Sequence, residues 1–231
     1  MVEYILNLIS EKSGALNVLT YLSSRTISST LTGLLIVLLF GDKFIQIIKK
    51  FQFNQNFDGR APESHKKKDG TPTMGGILII GSVVLSGLIW GDLSNKYLLL
   101  GLACLVGFAI IGFIDDYKKI FSLDSTGLSS TTKIFYQTMV ALVVSIILFA
   151  SSTSPQELEY IVPFFKNISI ELGVGFIFLS VFILVGSSNA VNLTDGLDGL
   201  AILPVIIITA ALGIIAWAAG NVIAAEYLYI P

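Results

Sequence analysis

Three polar segments interrupt an otherwise apolar chain, and their residue types suit the handling of a phosphate. The first is SHKKKDGTPTMGG, residues 64–76. Lys66, Lys67 and Lys68 supply cations, Thr71 and Thr73 hydroxyls, and the Gly75-Gly76 pair offers backbone N–H groups to an anion at the start of an apolar stretch. His65 stands beside the lysines, where it can touch a phosphate, but no Ser-His-Asp order can be anchored to it. Gly70 and Gly75 have the glycine spacing of a Walker A loop, yet Gly76-Ile77 follows where Lys-Ser or Lys-Thr is needed, so a P-loop is excluded. On charge alone the segment also fits a plain basic loop, since each lysine near an anionic leaflet contributes about 1 kcal/mol without any substrate.

The second segment is GFIDDYKK, residues 112–119. Asp115 and Asp116 close an apolar stretch, and two like charges about 5 Å apart repel by ~3 kcal/mol at an effective dielectric near 20. Something cationic must offset that. Lys118 and Lys119 can do so as a solvated cluster, and a divalent metal bridging a phosphate can do so as a site. The third is NAVNLTDGLDGLA, residues 189–201, where Asn189, Asn192, Asp195 and Asp198 recur every third residue and neighbours share one side of a helical turn. Gly196 and Gly199 favour a tight turn that lets a ligand approach backbone, and the EF-hand pattern is absent. A bland alternative has Asp195 or Asp198 merely capping the next helix, which leaves both asparagines without a role.

The elements that must position these segments are membrane spans. Of 231 residues 54% are hydrophobic and 13% charged, about half the charge of a soluble domain. With a mean hydropathy of +0.82, disorder is excluded and a water-soluble globule is not expected. One Cys and one His exclude an internal disulfide framework and a structural zinc site, and Cys104 in mid-span reads as packing. A helix needs about 20 residues to cross the hydrocarbon layer, and six apolar windows qualify: 26–48, 74–92, 97–114, 133–150, 171–188 and 199–219. The expected fold class is therefore an all-α integral membrane protein of about six transmembrane helices forming a single domain over residues 1–231. Asp42 and Lys43 are expected near one membrane face, Pro204 one turn into the last span, and Trp90 and Trp217 as interfacial anchors.

Lys49, Lys50, Arg60, Lys66, Lys67 and Lys68 gather in the 49–73 connection, and Lys118 and Lys119, followed by Lys133, in the 115–132 connection. The alternate loops hold only Lys96 and Lys166. By the positive-inside rule, 49–73, 115–132 and 189–198 face the cytoplasm and both termini are periplasmic. No cleaved signal peptide is expected, and Tyr4, Ile5, Leu8 and Ile9 have the spacing of a short interfacial helix.

Taken together and in this order, SHKKKDGTPTMGG, DDYKK after a span and NAVNLTDGLDGLA resemble the phospho-N-acetylmuramoyl-pentapeptide transferase family of polyprenyl-phosphate sugar-phosphate transferases. The resemblance implies a reaction in the bacterial inner membrane with its active site facing the cytoplasm. Undecaprenyl phosphate would attack the β-phosphate of UDP-N-acetylmuramoyl-pentapeptide, with Mg²⁺ as cofactor and UMP as leaving group. By resemblance, Asp115 and Asp116 handle the metal and the lipid-phosphate proton, Asp115 being the base. Lys68 contacts the donor's phosphates with His65 and Thr73 nearby. Asn189, Asn192, Asp195 and Asp198 bind substrate, the Asp195-Gly196-Leu197 portion meeting the uridine. Membrane lipid and a homodimeric partner are implied, and no nucleic acid.

Relatives carry a later acidic site and a histidine-rich loop, whereas Glu226 is the only acidic residue here after Asp198. The sequence thus reads as the family's first six spans, and little or no transferase activity is expected of these residues alone. Two rivals stand beside this reading. One is a transferase of N-acetylhexosamine-1-phosphate onto polyprenyl phosphate. The other is a non-enzymatic transporter or assembly subunit, and for transport the span centres lack the ionisable groups expected.

Overall fold

The computed structural model describes residues 14–53, 74–121, 127–162, 165, 168–195 and 199–228. The sequence expectations for Tyr4 to Ile9, for His65, Lys68 and Thr73, and for Gly196, Leu197 and Asp198 lie outside these. A 3-10 turn, Gly14–Thr20, leads into α1, Leu22–Phe53. Next come α2, Gly76–Trp90, α3, Lys96–Phe121, and α4, Ser130–Ala150. A short hairpin of β1, Glu159–Ile161, and β2, Ser169–Glu171, precedes α5, Gly175–Thr194. Then follow α6, Ile202–Gly220, and α7, Val222–Leu228. The architecture is all-α apart from that hairpin, which periodicity did not signal because its strands are three residues each.

Among the described residues, five helical stretches are long and apolar enough to cross a bilayer: Leu22–Lys50, Lys96–Ile120, Ser130–Ala150, Gly175–Thr194 and Ile202–Gly220. The sixth expected window, 74–92, forms α2, whose 15 residues fall short of a full crossing length. It is bounded by Met74 at φ 70° and by Gly91 in an extended conformation, so the flanking apolar residues leave the helix. In α1 the opposite holds. Its 32 residues exceed the hydrocarbon thickness, and Asp42 and Lys43 are exposed within it. Helices such as α6, apolar on all sides and exposed along nearly their whole length, are those a lipid environment permits.

The chain forms two compact units, Met1–Phe178 and Leu179–Pro231. In the first, α1 packs on α2, α2 on α3 and α3 on α4. Small residues set how closely they approach. Gly33 of α1 faces Ser86, which is buried with Ser82, and Gly107 of α3 lies against Val140 of α4, beside the fully buried Ala141 and Ser145. A Cβ at Gly107 would stand 2.7 Å from Val140 Cγ1. Valine is stiff in a helix and cannot turn aside. Gly107→Ala is therefore expected to cost about 1–3 kcal/mol by overpacking. The loss should show as a lowered Tm in detergent and be largely recovered in Gly107→Ala/Val140→Ala.

Polar contacts mark one end of this unit. Arg25 Nε donates to the Trp90 carbonyl at 2.8 Å, and Trp90 gives its indole N–H to Thr32 at 2.9 Å, so Trp90 ties α2 to α1. Lys96 Nζ donates to the Ser151 carbonyl and lies 3.3 Å from Glu157, joining the start of α3 to the end of α4. Tyr97 Oη donates to Glu157 Oε2 at 2.6 Å and Thr153 Oγ1 to Glu157 Oε1 at 2.8 Å. The Tyr97 hydroxyl first, then Thr153, holds the Glu157 carboxyl at about 2, below its ordinary 4.5. A depressed carboxyl stabilises the fold above its unfolded value and stops doing so as pH falls through the folded one. The Thr153 amide is therefore expected to lose exchange protection between pH 4.5 and about 2, and Glu157→Gln to flatten that dependence.

Candidate functional site

The other end of the first unit holds the acidic pair. Asp115 and Asp116 lie in the last turns of α3, about 20 residues from its start, which places them at the boundary of a span rather than in its centre. Successive residues of a helix point about 100° apart, and the two carboxylates meet different surroundings. Asp115 is 7% exposed. Its Oδ1 accepts the Leu128 N–H at 2.8 Å, and its Oδ2 lies 2.7 Å from Lys119 Nζ and 3.9 Å from Lys133 Nζ. Asp116 is half-buried, with Lys119 Nζ 3.5 Å from its Oδ1. Lys119 thus straddles both carboxylates, as i,i+4 and i,i+3 positions on a helix allow.

Two lysines balance two aspartates, and the repulsion within the pair is offset by Lys119 together with Lys133, a partner on the next helix. Sequence reading counted Lys133 only as a topology charge. The available signal was its place in the opening turns of α4, close to the positive end of the helix dipole, where a cation is unfavourable without a reason. Ser129 caps that helix, its side chain accepting the Thr132 N–H at 3.2 Å. Gly127, at φ 69°, turns the chain so that Leu128 faces Asp115, and a Cβ there would stand 2.6 Å from Asp115 Oδ1. Asp115 therefore clasps the 127–129 turn onto the end of α3.

Gly87 lies beside Leu102 and Gly91 beside Leu98, so α2 and α3 run antiparallel, with the start of α2 and the end of α3 toward the same end of the unit. Gly107 beside Val140 and Lys96 beside Ser151 likewise carry Lys133 to Asp115. His65, Lys68 and Thr73 precede α2 in the sequence and lie outside the described residues.

The third segment falls in the second unit. Asn189 and Asn192 occupy the last turns of α5, and Asn189 Nδ2 donates back to the Val185 carbonyl at 2.8 Å. Asp195 follows the helix, exposed, its backbone N–H still bonded to the Val191 carbonyl at 3.1 Å. Gly199 takes φ 81°, the left-handed turn that the glycine pattern suggested. The residue at the N-cap of α6 is Ala201, without a side-chain cap, so Asp195 does not start that helix.

Among the described residues no three of His, Cys, Asp and Glu gather to hold a metal. Magnesium binds through one or two carboxylates with substrate phosphates and waters, and the half-buried Asp116 beside Asp115 fits that partial donor set.

A mainly helical unit with paired carboxylates and lysines at the end of an apolar helix has the makings of a phosphoryl-transfer site. The model of glycosyl transferase family 4 matches residues 98–230, and phospho-N-acetylmuramoyl-pentapeptide-transferase signature 1 matches residues 68–80. The chain belongs to glycosyl transferase family 4, as a multi-pass membrane glycosyl-phosphate transferase that carries this signature.

Proposed function

We propose that this chain acts in the transfer of phospho-N-acetylmuramoyl-pentapeptide from its UDP-linked donor to undecaprenyl phosphate. An oxygen of the lipid phosphate would form the new bond to the donor's β-phosphorus as the bond to UMP breaks, leaving a lipid-linked pyrophosphate. The observation that carries this is the signature match over 68–80, whose last residues open α2. In this reading Lys68, with His65 and Thr73, holds the donor's phosphates, and Asn189, Asn192, Asp195, Gly196, Leu197 and Asp198 bind its nucleotide side. Asp115 would receive the lipid phosphate's proton beside Asp116, and a base at Asp115 must first exchange its contact with Lys119. Asp116, joined by Asp115, would hold Mg²⁺, which supplies charge neutralisation for the pyrophosphate. The basic 49–73 and 115–132 connections support a cytoplasm-facing site in the bacterial inner membrane, with periplasmic termini. A homodimer belongs to the same proposal.

The test is donor binding by calorimetry in detergent with Mg²⁺. UDP-N-acetylmuramoyl-pentapeptide is expected to bind about tenfold or more tighter than UDP-N-acetylglucosamine. Equal affinity would favour the N-acetylhexosamine-1-phosphate rival and overturn the assignment.

A further inference from the structure

The hairpin between α4 and α5 has two unlike faces. Glu159 pairs with Glu171, Tyr160 with Ile170 and Ile161 with Ser169, and the Val162 N–H bonded to the Ile168 carbonyl at 3.0 Å continues the ladder. Directly opposed residues share a face and successive pairs alternate. Tyr160, Val162, Ile168 and Ile170 therefore form one wholly apolar face, while Glu159, Glu171 and Ser169 with Ile161 form the other. The apolar face is uncovered: Tyr160 is 43% exposed and Ile168 and Ile170 are each 50% exposed. Phe165, beyond the ladder, is 59% exposed. A two-stranded hairpin is marginal in water and needs something against its apolar side.

Both legs of the hairpin are short tethers to span ends. Three residues, Leu172 to Val174, separate β2 from α5, and so few residues reach about 10 Å at most. On the other leg, the residue two before β1 is Glu157, fixed to Lys96 and Tyr97 at the start of α3. The hairpin is thus confined to the zone where spans leave the hydrocarbon. Two opposed glutamates repel unless water screens them, so the Glu159/Glu171 face must look to solvent.

We propose that this hairpin lies flat on the bilayer surface, with Tyr160, Val162, Ile168, Ile170 and Phe165 seated at the boundary between phospholipid headgroups and acyl chains. Tyrosine and phenylalanine suit that boundary, and the hairpin then fixes the depth at which α4 ends and α5 begins.

The experiment uses the full chain with Cys104→Ser, in vesicles of phosphatidylethanolamine and phosphatidylglycerol. Single cysteines replace Ile170 or Ile168 on one face and Ser169 or Glu171 on the other, each carrying an environment-sensitive fluorophore. Quenching by a nitroxide on the upper acyl chain is expected to be about threefold or more stronger at 168 and 170 than at 169 and 171. Two positions per face keep the comparison intact if one variant misfolds. Equal quenching on both faces would overturn the proposal. So would labels at 168 and 170 shielded from both lipid and water, with energy transfer between labelled copies, because a second chain would then cover the face.

Discussion

Asp115→Ala is expected to lower the unfolding free energy by about 2–3 kcal/mol, and Asp116→Ala by about 0.5 kcal/mol or less, although the residues are adjacent. Asp115 is buried and accepts from the Leu128 N–H, with Lys119 and Lys133 close by; its loss removes a charge-assisted hydrogen bond and leaves the buried end of α3 with excess cations. Asp116 is half-buried and makes one long ion pair, of the kind that contributes little. Thermal unfolding in detergent reads the difference, and equal losses would refute the unequal environments. Donor binding should separate the two in the opposite sense. With Mg²⁺ present, Asp116→Asn is expected to weaken donor affinity about tenfold while leaving Tm in place. Unchanged affinity would remove Asp116 from the proposed metal site.

Gly127→Ala is expected to release the turn that Asp115 holds. An L-residue in the left-handed region costs about 1–2 kcal/mol, and here the new Cβ also meets Asp115 Oδ1 at 2.6 Å and Lys119 Cε at 2.9 Å. Together these are expected to cost about 3 kcal/mol, so exchange of the Leu128 amide should quicken about a hundredfold or more. Gly173 provides the contrast. It too has a positive φ, 48°, but nothing lies within 4 Å of a Cβ there. Gly173→Ala should cost the backbone term alone, about 1–2 kcal/mol. Equal effects at both glycines would show that Asp115 does not clasp the turn.

Much of the fold was written in composition, because the bilayer demands long apolar helices and tolerates little else. Among the described residues, five of the windows form helices long and apolar enough to be spans. The window at 74–92 was read too long, since hydropathy does not register the positive φ at Met74 or the extended backbone at Gly91. The hairpin was missed because alternation over three residues has no statistical weight, and Lys133 because its partner belongs to another helix.

The sequence by itself determined the class of protein and the chemistry on offer. Side-chain type and helical period are local properties, so paired aspartates at a span end, a lysine-glycine-threonine segment and a carboxamide-carboxylate repeat are visible without a fold. Only the tertiary structure decided that the two aspartates differ. That difference arises from the close approach of α3 and α4 at Gly107, which brings Lys133 and the Leu128 amide to Asp115 and leaves Asp116 half-buried. No pattern within one helix encodes that register, because it is set by which small residues on two helices allow their backbones to meet.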